Sequence, residues 1–204
     1  IRIGSPAPFG RKWLRPRLSA LIGAYPELRV QAVFGVPTML ERMLLERELD
    51  FAILVRPAGS PLVEGTTVFR EKFLPYASPQ YLRRMGTPST LESFAEHRWI
   101  VFDRDLPMHG PWWAHRFGSA ATRGEIVCNV ANLDEMLGLI EDGIGISVLP
   151  DYFVEPALAR RTIVELGGEN ATPVSNDISL AWRANAIQSA RFRAVREMLL
   201  ATRL

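Results

Sequence analysis

Cysteine is almost absent from this chain, and its scarcity limits what the protein can be. Cys128 is the single cysteine among 204 residues, so no disulfide can form within the chain and a reducing compartment is favoured. No apolar run approaches the roughly 20 residues that a membrane-spanning helix needs. Residues 1–4 read as a core strand rather than as a secretion signal. Together these features predict a cytoplasmic protein that does not enter the membrane.

A strong excess of one charge is also lacking. Lys and Arg number 24 against 22 Asp and Glu, which leaves a formal net charge of +2. This balance does not by itself make a nucleic-acid-binding surface. The hydrophobic share of 48% and the charged share of 23% are typical of a globular protein that builds its core in one domain or in two lobes.

The motifs of common enzymes are missing as well. The sequence has neither a glycine-rich phosphate-binding loop ending in Lys-Ser/Thr nor a Gly-x-Ser-x-Gly elbow. The glycine pair of Gly143-Ile144-Gly145 follows a predicted helix and precedes a predicted strand, the reverse of the order in a dinucleotide-binding loop. His109 and His115 lack the spacing of metal ligands, and Asp103 with Asp105 is more typical of a solvated turn than of a catalytic pair. We therefore predict no catalytic residue, no metal and no cofactor.

The clearest local pattern runs from Asn132 to Phe153. Asn132 is a predicted N-cap, and Glu135 is placed to complete a capping box with it. Apolar residues then recur at helical spacing up to Gly143, which can take the left-handed conformation that ends a helix. The alternating run that follows is typical of a strand, and Pro150 ends it. A helix that opens with unbonded N–H groups beside a strand edge suits an anionic or polar ligand.

The first third of the chain alternates strand and helix signals. The order is strand, helix, strand, helix, strand, at residues 1–3, 10–24, 28–34, 38–44 and 49–55. This order predicts a parallel sheet covered by helices. The second helix is predicted to open with a capping box formed by Thr38 and Glu41, so Thr38, like Asn132, opens a helix directly after a strand.

Two long extended segments, 67–76 and 178–182, predict strands that cross between two lobes. Clefts between lobes are preferred ligand sites. We assign 1–72 and 179–204 to lobe I and 73–178 to lobe II. The segment 103–118, with its Trp112-Trp113 pair, is predicted to be irregular and to form a flap on lobe II.

The helix N-termini are the best candidates for a ligand site. Simple capping explains Thr38 and Asn132 at about 1 kcal/mol each. If both N-termini face one cleft, they also form two clusters of N–H donors around one small ligand. The loop Ser5-Pro6-Ala7-Pro8 supplies a third wall. Arg56 follows a buried strand and is either a partner for a ligand carboxylate or an ordinary surface arginine.

Five short segments occur in a characteristic order over nearly the whole chain: Ile1-Arg2-Ile3-Gly4, Tyr25-Pro26-Glu27-Leu28, Leu49-Asp50-Phe51-Ala52-Ile53, Tyr76-Ala77-Ser78-Pro79-Gln80-Tyr81-Leu82 and Gly143–Pro150. In this order and spacing they resemble the effector-binding (regulatory) domain of LysR-type transcriptional regulators. The resemblance implies an α/β fold of the periplasmic-binding-protein type (type 2), with two lobes, two crossover strands and an effector in the cleft. It also implies a bacterial transcriptional regulator, not an enzyme, whose winged helix-turn-helix is not part of this sequence.

The resemblance further implies effector contacts and partners. The effector contacts carry over to Ser5, Pro6, Ala7, Thr38, Phe102, Asp103, Asn132 and Leu133, with Arg56 as a weaker addition. Regulatory domains of this family form a homodimer or tetramer, in which helix Gly10–Ala24 of one subunit would meet helix Asn132–Asp142 of another. Each helix would then expose an apolar strip in the monomer. DNA would be contacted only through the N-terminal domain.

The chain departs from the family pattern before its third strand. The family usually has a glycine there, whereas this chain has Arg47-Glu48, so the preceding helix must end without its glycine cap. Two other functions stay open at this point. One is a solute-binding protein of a transport system, which shares the two-lobed architecture. The other is an enzyme working in the same cleft, which would need a nucleophile–base pair that the sequence does not show.

Overall fold

The structure is a computed structural model that describes residues 1–104, 106–118, 124–167, 173–187 and 189–201. The strands are β1 Arg2–Ser5, β2 Gln31–Phe34, β3 Phe51–Leu54, β4 Val63–Ala77, β5 Arg98–Val101, β6 Glu125–Asn129, β7 Ser147–Pro150, β8 Val164–Glu165 and β9 Val174–Arg183. The helices are α1 Ala7–Phe9, α2 Arg15–Ala24, α3 Pro37–Leu45, α4 Pro79–Met85, α5 Leu91–Ala95, α6 His109–Phe117, α7 Leu133–Glu141, α8 Asp151–Ala159 and α9 Ala190–Ala201. A π-helical turn, Gly10–Leu14, joins α1 to α2.

The chain divides into two compact units. Unit 1 comprises Ile1–Arg70 and Asn176–Leu204, and unit 2 comprises Glu71–Ser175. Both divisions fall inside long strands, β4 and β9, so each of these strands contributes residues to both units.

Unit 1 is built on the parallel sheet that the alternation of its first third predicts. β1 lies between β2 and β3 and is parallel to both, and β9 is antiparallel to β3. Leu40 and Leu44 of α3 pack in one buried cluster with Ala52 and Leu54 of β3. On β3, Phe51 stacks on Phe192 of α9 with 4.4 Å between ring centroids. Burial of these apolar residues holds the helices on the sheet. Arg183 of β9 adds a hydrogen bond to the Leu44 carbonyl at 2.7 Å.

Unit 2 repeats the same strand order. β5 is parallel to β6 on one side and bridges Ile146, just before β7, on the other. The Ile100 N–H donates to the Ile146 carbonyl at 2.9 Å, and the Ile146 N–H donates to the Arg98 carbonyl at 2.8 Å. β1 in unit 1 and β5 in unit 2 are therefore central: the next strand, β2 or β6, lies on one side, and β3 or the segment leading into β7 lies on the other.

The segment with the two adjacent tryptophans is helical, so the prediction of an irregular flap is wrong. α6 buries His109, Trp112 and Trp113, and the rings of Trp99 and Trp113 lie 5.4 Å apart. These positions fall at i, i+3 and i+4, a helical spacing that the adjacent Gly-Pro disguises. Pro111 is tolerated because it lies in the first turn, where the backbone N–H has no intrahelical partner.

The two predicted capping boxes do not form. Val36 is the N-cap of α3 and Pro37 its first residue, so Thr38 lies one position inside the helix and caps nothing. Asn132 does cap α7, and its side-chain oxygen accepts from the N–H groups of Asp134 at 2.9 Å and Glu135 at 3.3 Å. The Asn132 N–H itself donates to the Val130 carbonyl at 2.9 Å, so the return bond of a capping box is not needed.

Arg47 takes the place of the glycine that ends α3. Its φ is 62°, in the left-handed region, and the Glu48 N–H donates to the Met43 carbonyl at 2.8 Å. Gly143 ends α7 in the same way at a φ of 75°, and the N–H of the next residue, Ile144, donates to the Leu139 carbonyl at 3.1 Å. This confirms the predicted role of Gly143. The missing glycine leaves the turn geometry unchanged and adds the strain of a side chain in a left-handed conformation.

Candidate functional site

In unit 1, the carboxyl ends of three parallel strands meet at one sheet edge. Pro6 and Ala7 follow β1, Thr38 lies in the first turn of α3 beyond β2, and Arg56 follows β3. The chain leaves β1 for β2 on one side and returns to β3 on the other. Edges at which the strand order reverses in this way are the preferred ligand sites of α/β sheets.

The side chains at this edge differ in what they can offer a ligand. Ser5 is fully buried, and its hydroxyl donates to the Pro6 carbonyl at 3.0 Å. Thr38 and Ala7 are exposed. Helix first turns leave backbone N–H groups without intrahelical partners, so α1 and α3 each present donors here. Thr38 therefore adds an exposed hydroxyl to a helix N-terminus. The buried Ser5 can affect a ligand only through the shape of the sheet edge.

Arg56 is tied to its own chain. Its guanidinium donates to the Glu41 carboxylate at 2.7 Å and to the Pro57 carbonyl at 3.1 Å. Glu41, which is only 8% exposed at its side chain, also accepts from the N–H groups of Gly59 at 2.6 Å and Ser60 at 3.0 Å. These bonds account for its position, and its contact with a ligand carboxylate stays a prediction. Arg56 anchors the loop after β3.

The sequence placed Glu41 in a capping box and missed its role as a loop anchor, because its partners lie 15 to 19 residues away. The loop that it holds borders a cavity of about 370 Å³ in unit 1. The lining residues are Leu54, Arg56, Pro57, Ala58, Gly59, Ser60, Pro61, Val63, Glu64, Gly65, Ser179 and Ala181. Arg56 is therefore the member of the predicted set that faces this cavity.

Unit 2 presents an equivalent edge. Phe102 and Asp103 follow β5, and Asn132 and Leu133 follow β6 at the start of α7. Phe102 is half-buried and packs on the unit 2 core, whereas Asp103 is exposed. The Asp103 carboxylate accepts from the Arg104 N–H at 2.6 Å, which fixes the turn after β5. Asp105, the other half of the predicted acidic turn, lies outside the described residues.

The predicted residues therefore fall into two groups, one in each unit. Ser5, Pro6, Ala7, Thr38 and Arg56 lie along the edge of unit 1. Asn132 and its neighbours lie along the edge of unit 2, but two N–H groups of α7 are already bonded to the Asn132 side chain. Each edge offers a polar side chain and a helix N-terminus, which suits a small polar ligand better than bond-making chemistry.

A buried histidine is the clearest case of altered protonation in unit 2. Nδ1 of His97 lies 3.1 Å from the Tyr81 hydroxyl, which also accepts from the Arg98 N–H at 3.0 Å. Burial lowers the pKa of His97, while the nearby Glu96 opposes that shift. Burial also raises the pKa of Tyr81. Both side chains are therefore neutral near pH 7 and serve packing.

The part of the chain that the structure describes contains neither a metal-binding cluster nor a membrane-spanning helix. Among those residues, no group of three or more His, Cys, Asp or Glu side chains could hold a metal ion. None of the described helices has the length and hydropathy that a bilayer crossing requires.

The chain matches a known family over nearly its whole length. A family model for the LysR substrate binding domain matches residues 1–203. The HTH-type transcriptional regulator CrgA of Neisseria meningitidis serogroup C (strain 8013) is 23% identical over 208 residues, which cover 98% of this chain and 66% of that protein. The HTH-type transcriptional activator TtdR of Escherichia coli (strain UTI89) is 26% identical over 207 residues, which cover 98% of this chain and 64% of the relative.

Solved structures share the fold. The CrgA regulatory domain from Neisseria meningitidis superposes with a TM-score of 0.82 at 20% identity and covers 98% of this chain and 97% of that one. The effector binding domain of QuiR in complex with shikimate gives a TM-score of 0.77 at 19% identity, with coverage of 98% and 95%. The two-lobed α/β architecture of the periplasmic-binding-protein type is thereby confirmed.

The chain belongs to the LysR substrate-binding domain family, the effector-binding domain of LysR-type transcriptional regulators. Its matched relatives are transcriptional regulators and not enzymes, which confirms the prediction of a non-enzymatic protein. Family membership also favours regulation over solute transport. The chain spans about two thirds of the length of these two relatives, whose names place a helix-turn-helix in the full protein.

Proposed function

We propose that this chain senses a small organic anion in a cleft between its two lobes and passes the signal to an attached DNA-binding domain in the bacterial cytoplasm. The observation that supports the proposal most is the repeated strand order, which gives each unit a sheet edge at a switch point with a helix N-terminus beside it. For the lobes we propose boundaries at residues 72/73 and 178/179. DNA would be bound only by residues outside this chain.

The two edges would act on the ligand in different ways. In unit 1, Thr38 would donate from its exposed hydroxyl, and the first turns of α1 and α3 would donate backbone N–H groups from Ala7 onward. In unit 2, Asn132 and Leu133 would close over the ligand beside Phe102 and Asp103. Ser5 would act through the shape of the edge, and Arg56 would act through the loop that it anchors to Glu41.

An effector of this kind would work by population shift. A ligand that binds one arrangement of the lobes better than another favours that arrangement by its difference in affinity. The attached DNA-binding domains would then be biased without any chemical step. Regulatory domains of the family form oligomers, and we propose that this chain forms a homodimer in which α2 of one copy meets α7 of the other.

Thermal shift and calorimetry with a panel of small carboxylates, including shikimate, test the ligand site. We expect at least one acid to raise the melting temperature of the wild-type domain. Thr38→Val, which removes the hydroxyl and keeps the shape, should reduce that shift. Thr66→Val, at another exposed threonine of unit 1, should keep it. A panel without any effect, or equal binding by Thr38→Val and wild type, would contradict the proposal.

A further inference from the structure

Two segments of this chain each carry charge of only one sign. Residues 7–24, which contain α1 and α2, hold Arg11, Lys12, Arg15 and Arg17 and no Asp or Glu. Residues 125–144, from β6 to the end of α7, hold no Lys, Arg or His, and their acidic residues are Glu125, Asp134, Glu135, Glu141 and Asp142. Because the whole chain is nearly balanced at +2, composition alone does not explain this separation. We call residues 11–24 the basic surface and residues 125–144 the acidic surface.

Each surface has exposed charges on a helix. On the basic surface these are Arg11 and Arg15, because Lys12 is half-buried and Arg17 is buried and donates to the Leu199 carbonyl at 3.0 Å. Arg15, Ser19 and Ile22 follow one another at i, i+4 and i+7 on α2, and all three are exposed. On α7 the stripe is Glu135, Gly138 and Asp142, at i, i+3 and i+7, with both acids exposed. The basic stripe therefore ends in an apolar residue, and the acidic stripe has a glycine between its two carboxylates.

Part of the acidic charge is already compensated, and part is not. Glu125 lies 3.8 Å from Arg98, and Glu141 lies 3.2 Å from Arg160. Within the described ranges, no ion pair involves Arg15, Glu135 or Asp142. These three exposed charges are the ones that an external partner can neutralise.

Exposed apolar residues accompany the charges. Ile22 and Tyr25, at the end of α2, are 49% and 44% exposed, and Phe34 on β2 is also exposed. Ile126 of β6 and Ile144 beyond α7 are exposed on the acidic surface. Among the described strands, β2 pairs with β1 and β6 with β5, so each leaves one edge open. Open edges with apolar side chains mark interaction surfaces.

Two helical glycines add a steric observation. A Cβ built at Gly23 or at Gly138 meets nothing within 4 Å, and neither residue is among those with a positive φ. The fold of the monomer thus gives no reason for glycine, which is less favourable than alanine inside a helix. A close approach by another helix would supply that reason.

We propose that opposite charge on the basic and acidic surfaces selects a second copy of this chain as the partner. The inference rests on the homodimer proposed above and adds what decides its specificity. Each copy offers both surfaces, so a two-fold pair makes the basic-to-acidic contact twice and closes on itself. A different protein would have to supply both complements at once, whereas a second copy supplies them by symmetry.

Charge reversal in pairs tests the proposal. The basic variant is Arg11→Glu/Arg15→Glu, and the acidic variant is Glu135→Lys/Asp142→Lys. Each variant alone faces like charge in both contacts, and we expect its dimer dissociation constant in sedimentation experiments to rise at least about tenfold. An equimolar mixture should restore the dimer, because both contacts of the mixed pair are then complementary. Circular dichroism checks that both variants are folded.

Salt and ligand response separate the possible failures. The wild-type dimer should weaken between about 0.1 and about 1 M salt, as the screening length falls from about 10 to about 3 Å. Dimers that persist in both variants, or a mixture that stays monomeric, would overturn the charge pairing. A wild-type chain that is monomeric at all concentrations would overturn the homodimer too. Ligand-induced stabilisation, measured in the same samples, tests effector sensing by itself.

Discussion

Glu41 and Arg56 form an ion pair with 2.7 Å between the carboxylate and the guanidinium, and the same carboxylate accepts from the N–H groups of Gly59 and Ser60. Glu41→Ala would leave the two N–H groups and the guanidinium without their acceptor. We expect a loss of about 1–3 kcal/mol in the free energy of unfolding, measured by urea denaturation. Glu41→Gln, which keeps an acceptor oxygen, should lose less.

Ligand binding by Glu41→Ala and by Arg56→Ala distinguishes an indirect role of Arg56, through the loop, from direct contact with the effector. If Arg56 acts through the loop, Glu41→Ala should weaken effector binding at least as much as Arg56→Ala, because Glu41 also holds the N–H groups of Gly59 and Ser60. If Arg56 touches the effector itself, Arg56→Ala should cost much more affinity than Glu41→Ala. Calorimetric titration of both variants decides between the two, and the second result would confirm the prediction of a ligand-binding arginine.

Arg47 holds a left-handed conformation that glycine adopts without strain. Arg47→Gly should raise the free energy of unfolding by about 0.5–1 kcal/mol, since relief of strain exceeds the entropy that glycine adds to the unfolded chain. Arg47→Ala is the matched control, because alanine is strained there as well. Equal gains from glycine and alanine would show that removal of the positive charge near Arg183 is the cause instead.

His97 makes stability depend on pH. Because burial lowers its pKa in the folded state, the unfolded chain binds a proton first as the pH falls below about 6.5. Stability is then fully present above that pH and declines below it, until the folded pKa is reached. We expect the melting temperature of the wild type to fall more than that of His97→Gln between about pH 7.5 and 5.5. Parallel curves would show that this histidine does not contribute.

The hydrogen bond from Arg70 lowers the pKa of Asp177, so that carboxyl titrates below this pH window. Tyr81→Phe provides a second control, because it removes the hydroxyl beside Nδ1 without removing the imidazole. It should lower stability at every pH and keep the slope of the wild type.

Sequence patterns correctly predicted the features that depend on residues close together in the chain. The alternation of strands and helices, the cap at Asn132 and the left-handed Gly143 depend on residues within one turn of each other, and all were readable from the sequence. Glu41 was misassigned because a capping box and a distant ion pair use the same residue type. The helix α6 was missed because Gly110 and Pro111 are typical of loops. The helix is stabilised by packing on Trp99, which lies ten residues before its first residue, His109.

Gly138 distinguishes stability of the monomer from association. In the Arg11→Glu/Arg15→Glu background, where the dimer is suppressed, Gly138→Ala should raise the free energy of unfolding by about 0.5–1 kcal/mol, because alanine is the better helix former and the added methyl meets nothing within 4 Å. In the wild-type background, the same methyl should weaken the dimer if a helix of the second copy passes closely over this position.

Gly110→Ala is the control for that comparison, since its methyl would meet Leu106 Cβ within the same chain at an ordinary 3.4 Å. It should leave the dimer dissociation constant unchanged. A Gly138→Ala variant that is more stable and dimerises as well as wild type would mean that no helix packs closely there. The charges of Glu135 and Asp142 would then act across a wider gap, and their reversal should have a smaller effect, because attraction between exposed charges falls with distance and is screened by salt.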